Sequence, residues 1–262
     1  MAATPLAEQR RDQLLELVRQ KGFASLPELA ETLEVSESTV RRDLEQLEES
    51  GAAKRTHGGV FYTGREPRLP HFVDRQTNQW DKKKLIGERA AELVEDGDTL
   101  LLDGGTTTYE VAQRLVGRSL QVVTNSLPVA NLFLTSPTTD VVLVGGYVHS
   151  RTGVAIGPYA DEMIARLNVR RTILSVASIN DEGYYNSNLL LVETERAMMQ
   201  SADEVIVVAD STKFGRQSLA HLCGLGDVKH MVVDHEIQSE WRKKITAAGP
   251  KLHVAPANDP SS

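Results

Sequence analysis

The segment from Asp103 to Thr108 has the residue types of an anion-binding loop. It reads Asp-Gly-Gly-Thr-Thr-Thr and lies between an aliphatic run and an amphipathic stretch. Glycine lets a backbone approach a ligand closely, helix-start amides point towards an anion, and threonine hydroxyls add neutral donors. The segment therefore favours phosphate binding, although Thr106 is equally well explained as an ordinary helix cap. It matches neither the GxGxxG nor the Walker pattern.

Polar residues also follow later aliphatic runs, at 124–126, 145–146 and 210–213. Ligands of open α/β sheets bind beyond the carboxyl ends of the strands, so these segments converge on one site if the sheet is doubly wound. Asn125 is suited to bind sugar hydroxyls, Asp210 to accept from a hydroxyl or orient Lys213, and Lys213 to neutralise phosphate. Each also has a plain structural explanation, since a loop lysine is usually solvated and an aspartate after a strand often forms a turn.

The elements that must position these residues alternate from about residue 85 onward. Short β-branched runs predict six strands, at 99–102, 122–124, 141–144, 172–176, 205–209 and 231–233. Amphipathic stretches predict helices at 85–94, 109–115, 129–134, 160–167, 192–199 and 237–247. This alternation predicts an α/β domain with a mainly parallel sheet.

The first 60 residues predict a different module, built from three short helices. They are expected at about 8–20, from an N-cap at Ser25 to near Glu34, and from an N-cap at Ser36 to Gly51. A buried stripe of Val40, Leu44 and Leu47 runs along the third helix. Because a very short turn joins the second and third helices, the pattern predicts a helix-turn-helix.

The buried stripe of the third helix leaves Ser38, Arg41 and Arg42 pointing outward from its N-terminal half. In a helix-turn-helix this half enters the major groove, where arginine donates two hydrogen bonds to guanine or clamps a phosphate. Residues 52–60 contain basic residues and a glycine pair and predict a small wing. The predicted DNA-binding residues are Ser36, Ser38, Thr39, Arg41, Arg42, Lys54, Arg55 and His57.

Net charge argues against this DNA hypothesis. The chain carries a formal charge of -7, and residues 1–60 hold eight basic against eleven acidic residues. An acidic protein repels polyanions in general, so positive charge must be concentrated on one face of the module. The alternative is an acidic helical module for protein contacts, in which Arg41 and Arg42 are simply solvated.

The remaining composition excludes several classes of protein. A single cysteine excludes an intrachain disulfide and a zinc site of paired cysteines, and no HExxH or GxSxG pattern occurs. No metal, cofactor or catalytic residue is therefore predicted. The longest apolar run is far too short for a membrane span and no export signal is evident, so the cytoplasm is expected. The predicted domains are 1–60 and 81–255, with a linker at 61–80 and a disordered tail at 256–262.

Two blocks of the sequence together resemble the DeoR family of bacterial repressors. VSESTVRRDLEQLEESGAAKRTHGG, at 35–59, is similar to the helix-turn-helix and wing of that family, and DGGTTT, VTNS, VGG and ADSTKFG are similar to its C-terminal sensor domain. The resemblance covers roughly residues 9–234. It implies a winged helix-turn-helix followed by an α/β domain related to sugar-phosphate isomerases and CoA transferases. In this family a phosphorylated sugar or similar metabolite usually weakens the grip on operator DNA.

Carried over by position, the resemblance places DNA contacts at Ser38, Thr39, Arg41 and Arg42. Gly104 departs from the family, which often has a larger residue there, and is expected only to loosen its loop. Glu195 stands at an often basic position, so we expect a less anionic effector or compensation by Arg196. The effector site implied by the resemblance consists of Asp103, Gly105, Thr106, Thr107, Thr124, Asn125, Gly145, Gly146, Asp210 and Lys213.

The leading hypothesis is a transcriptional repressor of carbohydrate metabolism genes that binds operator DNA as a homodimer or higher homo-oligomer. The alternative is a sugar-phosphate isomerase-like or deaminase-like enzyme with an accessory helical domain, in which Asp103, Asp210 and Lys213 would move protons. A third hypothesis is a protein-interaction adaptor. The acid-rich catalytic patterns of the related isomerases are not found, and the sequence does not separate repressor from activator.

Overall fold

The computed structural model describes residues 7–21, 23–49, 53–56, 59–62 and 71–257. The chain divides into two compact units, Met1–Leu69 and Pro70–Ser262. The boundary expected near residue 60 stays a prediction, as does the disordered tail, which from residue 258 lies outside the described residues.

The first unit is a winged helix-turn-helix. Its core is formed by apolar side chains of all three helices with Ala24, Ala53 and Val60 from the strands. The third strand pairs antiparallel with both other strands, so the wing hairpin is joined by a strand the sequence did not predict. The elements are α1 (Ala7–Lys21), β1 (Phe23–Ser25), α2 (Leu26–Thr32), α3 (Glu37–Glu49), β2 (Ala53–Thr56) and β3 (Gly59–Tyr62).

Both expected helix caps are present in this unit. Ser25 caps α2, with its hydroxyl accepting from the Glu28 amide and the Glu28 carboxylate accepting from the Ser25 amide, both at 3.4 Å. Ser36 precedes α3, and its hydroxyl accepts from the Thr39 amide at 3.3 Å. Between α2 and α3, Glu34 adopts a left-handed conformation with φ of 52°. This residue reverses the chain where glycine is more usual.

The second unit is built around a seven-stranded sheet in which every neighbouring pair is parallel. Its strands are β4 (Thr99–Leu102), β5 (Leu120–Thr124), β6 (Thr139–Leu143), β9 (Val169–Ser175), β12 (Ala202–Val208), β14 (His230–Asp234) and β15 (Lys251–Ala255). The order across the sheet is β15-β14-β12-β9-β4-β5-β6. Apolar clusters cover both faces, as a parallel sheet requires.

The helices of this unit are α4 (Phe72–Thr77), α5 (Trp80–Ala91), α6 (Thr106–Leu115), α7 (Leu127–Phe133), α8 (Pro158–Ile164), α9 (Leu189–Gln200) and α10 (Ser239–Ala248). Two small antiparallel sheets are formed by β7 (Tyr147–His149) with β8 (Val154–Ile156), and by β10 (Ser178–Asn180), β11 (Gly183–Asn186) and β13 (Ala220–Cys223). No helix in the described ranges is long and apolar enough to cross a membrane.

All six predicted strands and all six predicted helices of this unit are found; the strand at 99–102 has the predicted bounds, and the others have shifted ends. The sequence missed β15, which reads Lys-Leu-His-Val-Ala. As an edge strand paired only with β14, β15 needs no continuous apolar run. It also missed α4, which lies inside the span predicted as a linker. Only one turn and a half long, α4 has too few residues to show a helical period.

Candidate functional site

The order in which the chain adds strands to the sheet changes direction between β4 and β9. From β4 the chain runs outward through β5 and β6, then crosses to β9 on the other side and continues through β12, β14 and β15. Loops that leave β4 and β9 at their carboxyl ends therefore diverge, and such a switch point is where open α/β sheets bind ligands. The predicted anion loop begins at this point, with Asp103 directly after β4.

Asp103 holds the loop against β9. Its Oδ1 accepts from the Gly105 amide at 2.6 Å, and its Oδ2 accepts from the amide and the hydroxyl of Ser175 at 2.8 and 3.2 Å. The carboxylate is buried, which raises its pKa, while these hydrogen bonds oppose the rise. Because both oxygens are engaged, Asp103 shapes the loop.

Both loop glycines are fixed by close packing. A Cβ at Gly104 would lie 1.9 Å from Val154 Cγ1, and one at Gly105 would lie 1.5 Å from Ser175 Oγ. A larger residue at Gly104 would require the Val154 side chain to shift, so the close packing beside β8 gives a reason for glycine here, and the expectation that Gly104 only loosens the loop stays a prediction. From Gly105 the chain enters α6, whose first residues Thr106 and Thr107 are buried. The loop backbone and the start of a ten-residue helix thus face the switch point.

Of the two predicted residues at the end of β5, Thr124 has a structural role and Asn125 has an acceptor atom that remains available. The Thr124 hydroxyl donates to the Leu102 carbonyl at 2.7 Å and accepts from the Ser126 amide at 3.1 Å, which ties β5 to β4. Asn125 donates from Nδ2 to the Ala155 carbonyl at 2.9 Å. Its Oδ1 is buried and accepts no hydrogen bond from the described part of the chain. Asn125 therefore offers an unused acceptor.

The remaining predicted effector residues lie after β6 and β12. Asp210 is buried, and its Oδ1 accepts from the Thr212 amide at 3.0 Å, capping a short 3-10 turn that ends with the half-buried Lys213. Gly145 is exposed, with open space where a side chain would be. Gly146 has φ of 153° and packs near Ala160. Here the structure explains Asp210 as a cap and gives Gly145 no required role.

Arg75, on α4, was missed by the sequence analysis. Its Nε and Nη2 are buried, and neither has a hydrogen-bond partner among the described residues. These two nitrogens form one edge of the guanidinium, whose parallel N–H groups bind two oxygens of a carboxylate or phosphate side by side. Burial lowers the pKa of Arg75, and the charge of Asp103 opposes this shift. A buried guanidinium edge without an acceptor is costly unless a ligand supplies one.

Lys83, on α5, fixes α4 in place. Its ammonium donates to the carbonyls of Arg75 and Asn78 at the end of α4. At the other end, the Phe72 amide donates to the Arg151 carbonyl at 2.8 Å, and the Phe72 ring lies edge-on to Tyr109 of α6 at 5.4 Å. Burial lowers the pKa of Lys83 to about 8, and the charge of Lys213 adds to this effect.

Glu195, on α9, is 5% exposed. Its Oε1 accepts from Asn186 Nδ2 at 2.6 Å, and its Oε2 is buried with no hydrogen-bond partner in the ranges that the structure describes. Burial raises its pKa well above the ordinary value, and the charge of Asp103 adds to the rise. Arg196 does not compensate, because its guanidinium donates to the carbonyls of Leu222 and His221.

On α3, the two predicted arginines are free to reach a partner. Arg41 and Arg42 are exposed, and neither forms an ion pair with a described residue. Ser38 is also exposed, and its hydroxyl lies 2.9 Å from that of Ser36, which lies 2.9 Å from that of Thr39. This half of α3 therefore presents two guanidinium groups and a cluster of hydroxyls.

Ion pairs within the first unit neutralise acidic side chains close to the exposed arginines of α3. Asp43, next to Arg42, is buried and accepts from Arg10 of α1 at 2.5 and 3.1 Å. Arg55 of β2 donates to Glu48 at 2.7 Å and to Glu45 at 2.9 Å. Arg55 thus joins the wing to α3, a role that differs from the predicted DNA contact. His57 lies outside the described residues, and only the backbone of Lys54 is described.

No group of three histidine, cysteine or acidic residues suited to a metal ion occurs in the described part of the chain. Cys223 is buried, which raises the pKa of its thiol to about 12. This residue is therefore an inert, packed thiol at neutral pH.

Two family models match the chain. The DeoR-like helix-turn-helix domain matches residues 10–65, and the DeoR C terminal sensor domain matches residues 78–235. The glycerol-3-phosphate regulon repressor of Escherichia coli (strain K12) is 33% identical over 88% of this chain and 98% of its own length. The lactose phosphotransferase system repressor of Staphylococcus aureus (strain NCTC 8325 / PS 47) is 32% identical over 87% and 92%.

Among solved structures, the chain is similar to ribose 5-phosphate isomerase A from Methanocaldococcus jannaschii. The TM-score is 0.37 at 18% identity, and the match covers 53% of this chain and 55% of that chain.

Proposed function

Since the chain belongs to the DeoR family of transcriptional regulators, we propose that it represses carbohydrate metabolism genes and that a phosphorylated sugar at the β4–β9 switch point releases it from DNA. The names of the two relatives, a glycerol-3-phosphate regulon repressor and a lactose phosphotransferase system repressor, support this class of effector.

The DNA-binding part of the proposal is supported by α3. Arg41 and Arg42 are exposed on its N-terminal half, while the neighbouring acids Asp43, Glu45 and Glu48 are neutralised by ion pairs. The excess of acid over residues 1–60 therefore does not describe the surface that meets the duplex. A symmetric homodimer would place two such helices in half-sites about 34 Å apart.

One observation carries the effector part of the proposal: the buried edge of Arg75 has no acceptor among the described residues. The Lys83 ammonium donates to two backbone carbonyls at the end of α4, the helix that carries Arg75. The charges of Lys213 and Arg75 also act on Lys83 and lower its pKa. Three cationic groups thus lie near the anion loop. A phosphate monoester supplies the oxygens and the charge that this arrangement needs.

Binding without turnover fits the state of Asp103 and Asp210, the two acids that the enzyme hypothesis assigns to proton transfer. An aldose-ketose isomerase needs a base within hydrogen-bond reach of a carbon-bound proton. Both oxygens of Asp103 accept hydrogen bonds from the loop and from β9, and Asp210 caps its own turn. We therefore favour a sensor over the enzyme.

The test uses the full chain and an operator duplex selected from a random library. Thermal-shift screening identifies a phosphosugar ligand, and fluorescence anisotropy then measures DNA affinity with and without it. We expect Arg75→Gln to bind the operator like the wild type but to need at least about tenfold more ligand for release. Arg166→Gln, an exposed arginine of the same unit, is the matched control. Release of Arg75→Gln at the wild-type ligand concentration would contradict the proposal.

A further inference from the structure

Glu195 and Asn125 present buried acceptor atoms that nothing in the described chain uses. Glu195 Oε2 and Asn125 Oδ1 both lack a donor, and the two residues are only 5% and 3% exposed. A buried acceptor without a donor costs free energy, so these two atoms are candidate positions for a donor supplied by a ligand or a water molecule. Arg75 presents the opposite case, two donor nitrogens for which the described part of the chain offers no acceptor.

The packing of α9 places Glu195 beside the switch point. One turn before Glu195, Leu191 packs against Val154 and Ile156 of β8. The same Val154 side chain closes over Gly104 of the anion loop. The backbone of Ala155 in turn binds Asn125 through two hydrogen bonds, of 2.7 and 2.9 Å. The strand β8 therefore links the loop, Asn125 and the start of α9 into one surface.

The charge of Glu195 indicates which ligand group, an amine or a hydroxyl, would donate to its unused oxygen. Glu195 lies close enough to Asp103 for their charges to act on each other, and its other oxygen is bound only to the neutral amide of Asn186. Arg196, the nearest cation in sequence, is turned to backbone carbonyls and to Glu193. Because burial raises the pKa of Glu195, its carboxylate form needs a positive charge as well as a hydrogen bond to be stabilised. A ligand hydroxyl would supply only the hydrogen bond, whereas an ammonium group supplies both and favours loss of the Glu195 proton.

We propose that Glu195 is a specificity-determining residue that accepts a hydrogen bond from an ammonium group of the effector, so that the effector is a phosphate ester that also carries an amine. This inference rests on the proposed function, because it takes the phosphate end of the ligand to lie at Arg75. It gives the site two poles, a cationic one at Arg75, Lys83 and Lys213 and an acidic one at Glu195.

The test compares matched ligands that differ only by an amine in place of a hydroxyl. The probes are D-glucosamine 6-phosphate against D-glucose 6-phosphate, and 2-aminoethyl phosphate against 2-hydroxyethyl phosphate. Calorimetry on the full wild-type chain should show, for at least one pair, an amine preference of about tenfold or more, the ratio expected for a charge-assisted bond over a neutral one. In Glu195→Gln the preference should fall below about threefold.

Control variants separate this role from a general loss of folding. Glutamine has the shape of glutamate and retains an acceptor oxygen, so Glu195→Gln should keep the wild-type melting temperature and lose more affinity for the amine ligand than for the hydroxyl ligand. Glu193→Gln changes an exposed acid two residues away on the same helix and should keep the full amine preference. Equal binding of the amine and hydroxyl ligands by the wild type, or an unchanged preference in Glu195→Gln, overturns the inference and leaves the proposed function standing. Failure of every phosphate ester to bind overturns both.

Discussion

Ser175 donates two hydrogen bonds to a single oxygen of Asp103, from its amide at 2.8 Å and from its hydroxyl at 3.2 Å. The two residues lie at the carboxyl ends of β4 and β9, the adjacent strands between which the sheet reverses. Their contact sets the width of the gap between the two loops and so the shape of the candidate effector site.

Substitution of Gly105 tests this geometry. A Cβ at this position would lie 1.5 Å from Ser175 Oγ and 2.7 Å from Ser175 Cβ, so Gly105→Ala must push β4 and β9 apart. We expect a loss of about 1–3 kcal/mol in the free energy of unfolding, measured by urea denaturation, together with loss of phosphosugar binding.

A second substitution supplies the control for Gly105→Ala. Ser175→Gly removes the two closest of the three atoms that the new methyl group would meet, although it also removes one hydrogen bond to Asp103. The double variant should therefore be more stable than the sum of the two single changes implies. Simple additivity would show that the clash at Ser175 is not the cause.

The surface of α3 gives the second prediction. Replacing both Arg41 and Arg42 by alanine should abolish operator binding, since each arginine contact to a base or phosphate is worth about 1–3 kcal/mol. Both side chains are exposed, so the melting temperature and the phosphosugar affinity should not change. Fluorescence anisotropy over a series of salt concentrations measures the effect, and wild-type operator affinity in the double variant would refute the role of α3.

If the effector binds as proposed, Lys83 should make its affinity dependent on pH. Burial lowers its pKa to about 8, so the empty site loses this positive charge as the pH rises through 8. A bound phosphate favours the charged form of Lys83. Phosphosugar affinity should therefore be high at pH 7, fall between pH 8 and pH 9, and be accompanied by proton uptake in calorimetry at pH 8.5.

Two lysine variants identify the group responsible. Lys83→Met should bind more weakly at pH 7 and lose the decline between pH 8 and pH 9, because it has no ammonium to titrate. The neighbouring Lys84 lies over the Trp80 ring, 5.6 Å from its centroid, and Lys84→Met should keep the wild-type pH profile. A wild-type profile in Lys83→Met would assign the effect to another group.

His230 and His253 predict the behaviour of the second unit in acid. His230 Nδ1 lies 3.0 Å from His253 Nε2 across β14 and β15. Burial lowers the pKa of both residues, that of His253 to about 4 with a further contribution from the charge of His230. The native state therefore binds fewer protons than the unfolded state once the pH falls below the ordinary histidine pKa of about 6.5.

The free energy of unfolding should therefore fall as the pH falls from about 6.5 towards 4, and the two histidines should have no effect on it above about pH 7.5. Urea denaturation midpoints measured across this range should decline less steeply in His253→Gln than in the wild type. Carboxylates that titrate in the same range contribute equally to both proteins, so the difference isolates the histidine pair. Parallel curves would exclude it.

The sequence predicted the sheet and its loops because their residues are contiguous. Each aliphatic run ends in the polar residues that begin the next loop, so Asp103 and Asp210 could be placed at strand ends without knowledge of the fold. The sequence could not show that the Thr124 hydroxyl would donate a hydrogen bond to the Leu102 carbonyl, since the two residues lie on different strands.

Arg75 and Glu195 show what the sequence could not supply. In sequence, Arg75 lies on a short helix that follows no predicted strand, and its importance comes from burial and from two nitrogens that have no acceptor among the described residues. Glu195 could be recognised as unusual by comparison with the family, but the role of Arg196 could not be judged until its carbonyl partners were visible. Such properties arise only when distant segments meet.

The pairing of β1 with β3 bears on how the DNA surface behaves in a mutational study. Ser25 ends β1, caps α2 and pairs with Gly59 of β3. The strand β1, which leads into the helix-turn-helix, is therefore hydrogen-bonded to the wing strand β3. Arg55 fastens the other wing strand to α3. The wing strands and α3 are thereby connected to each other by backbone pairing and ion pairs. Changes to operator bases under one of them are expected to alter the contribution of the other, so a binding-site matrix built from independent positions would describe this protein poorly.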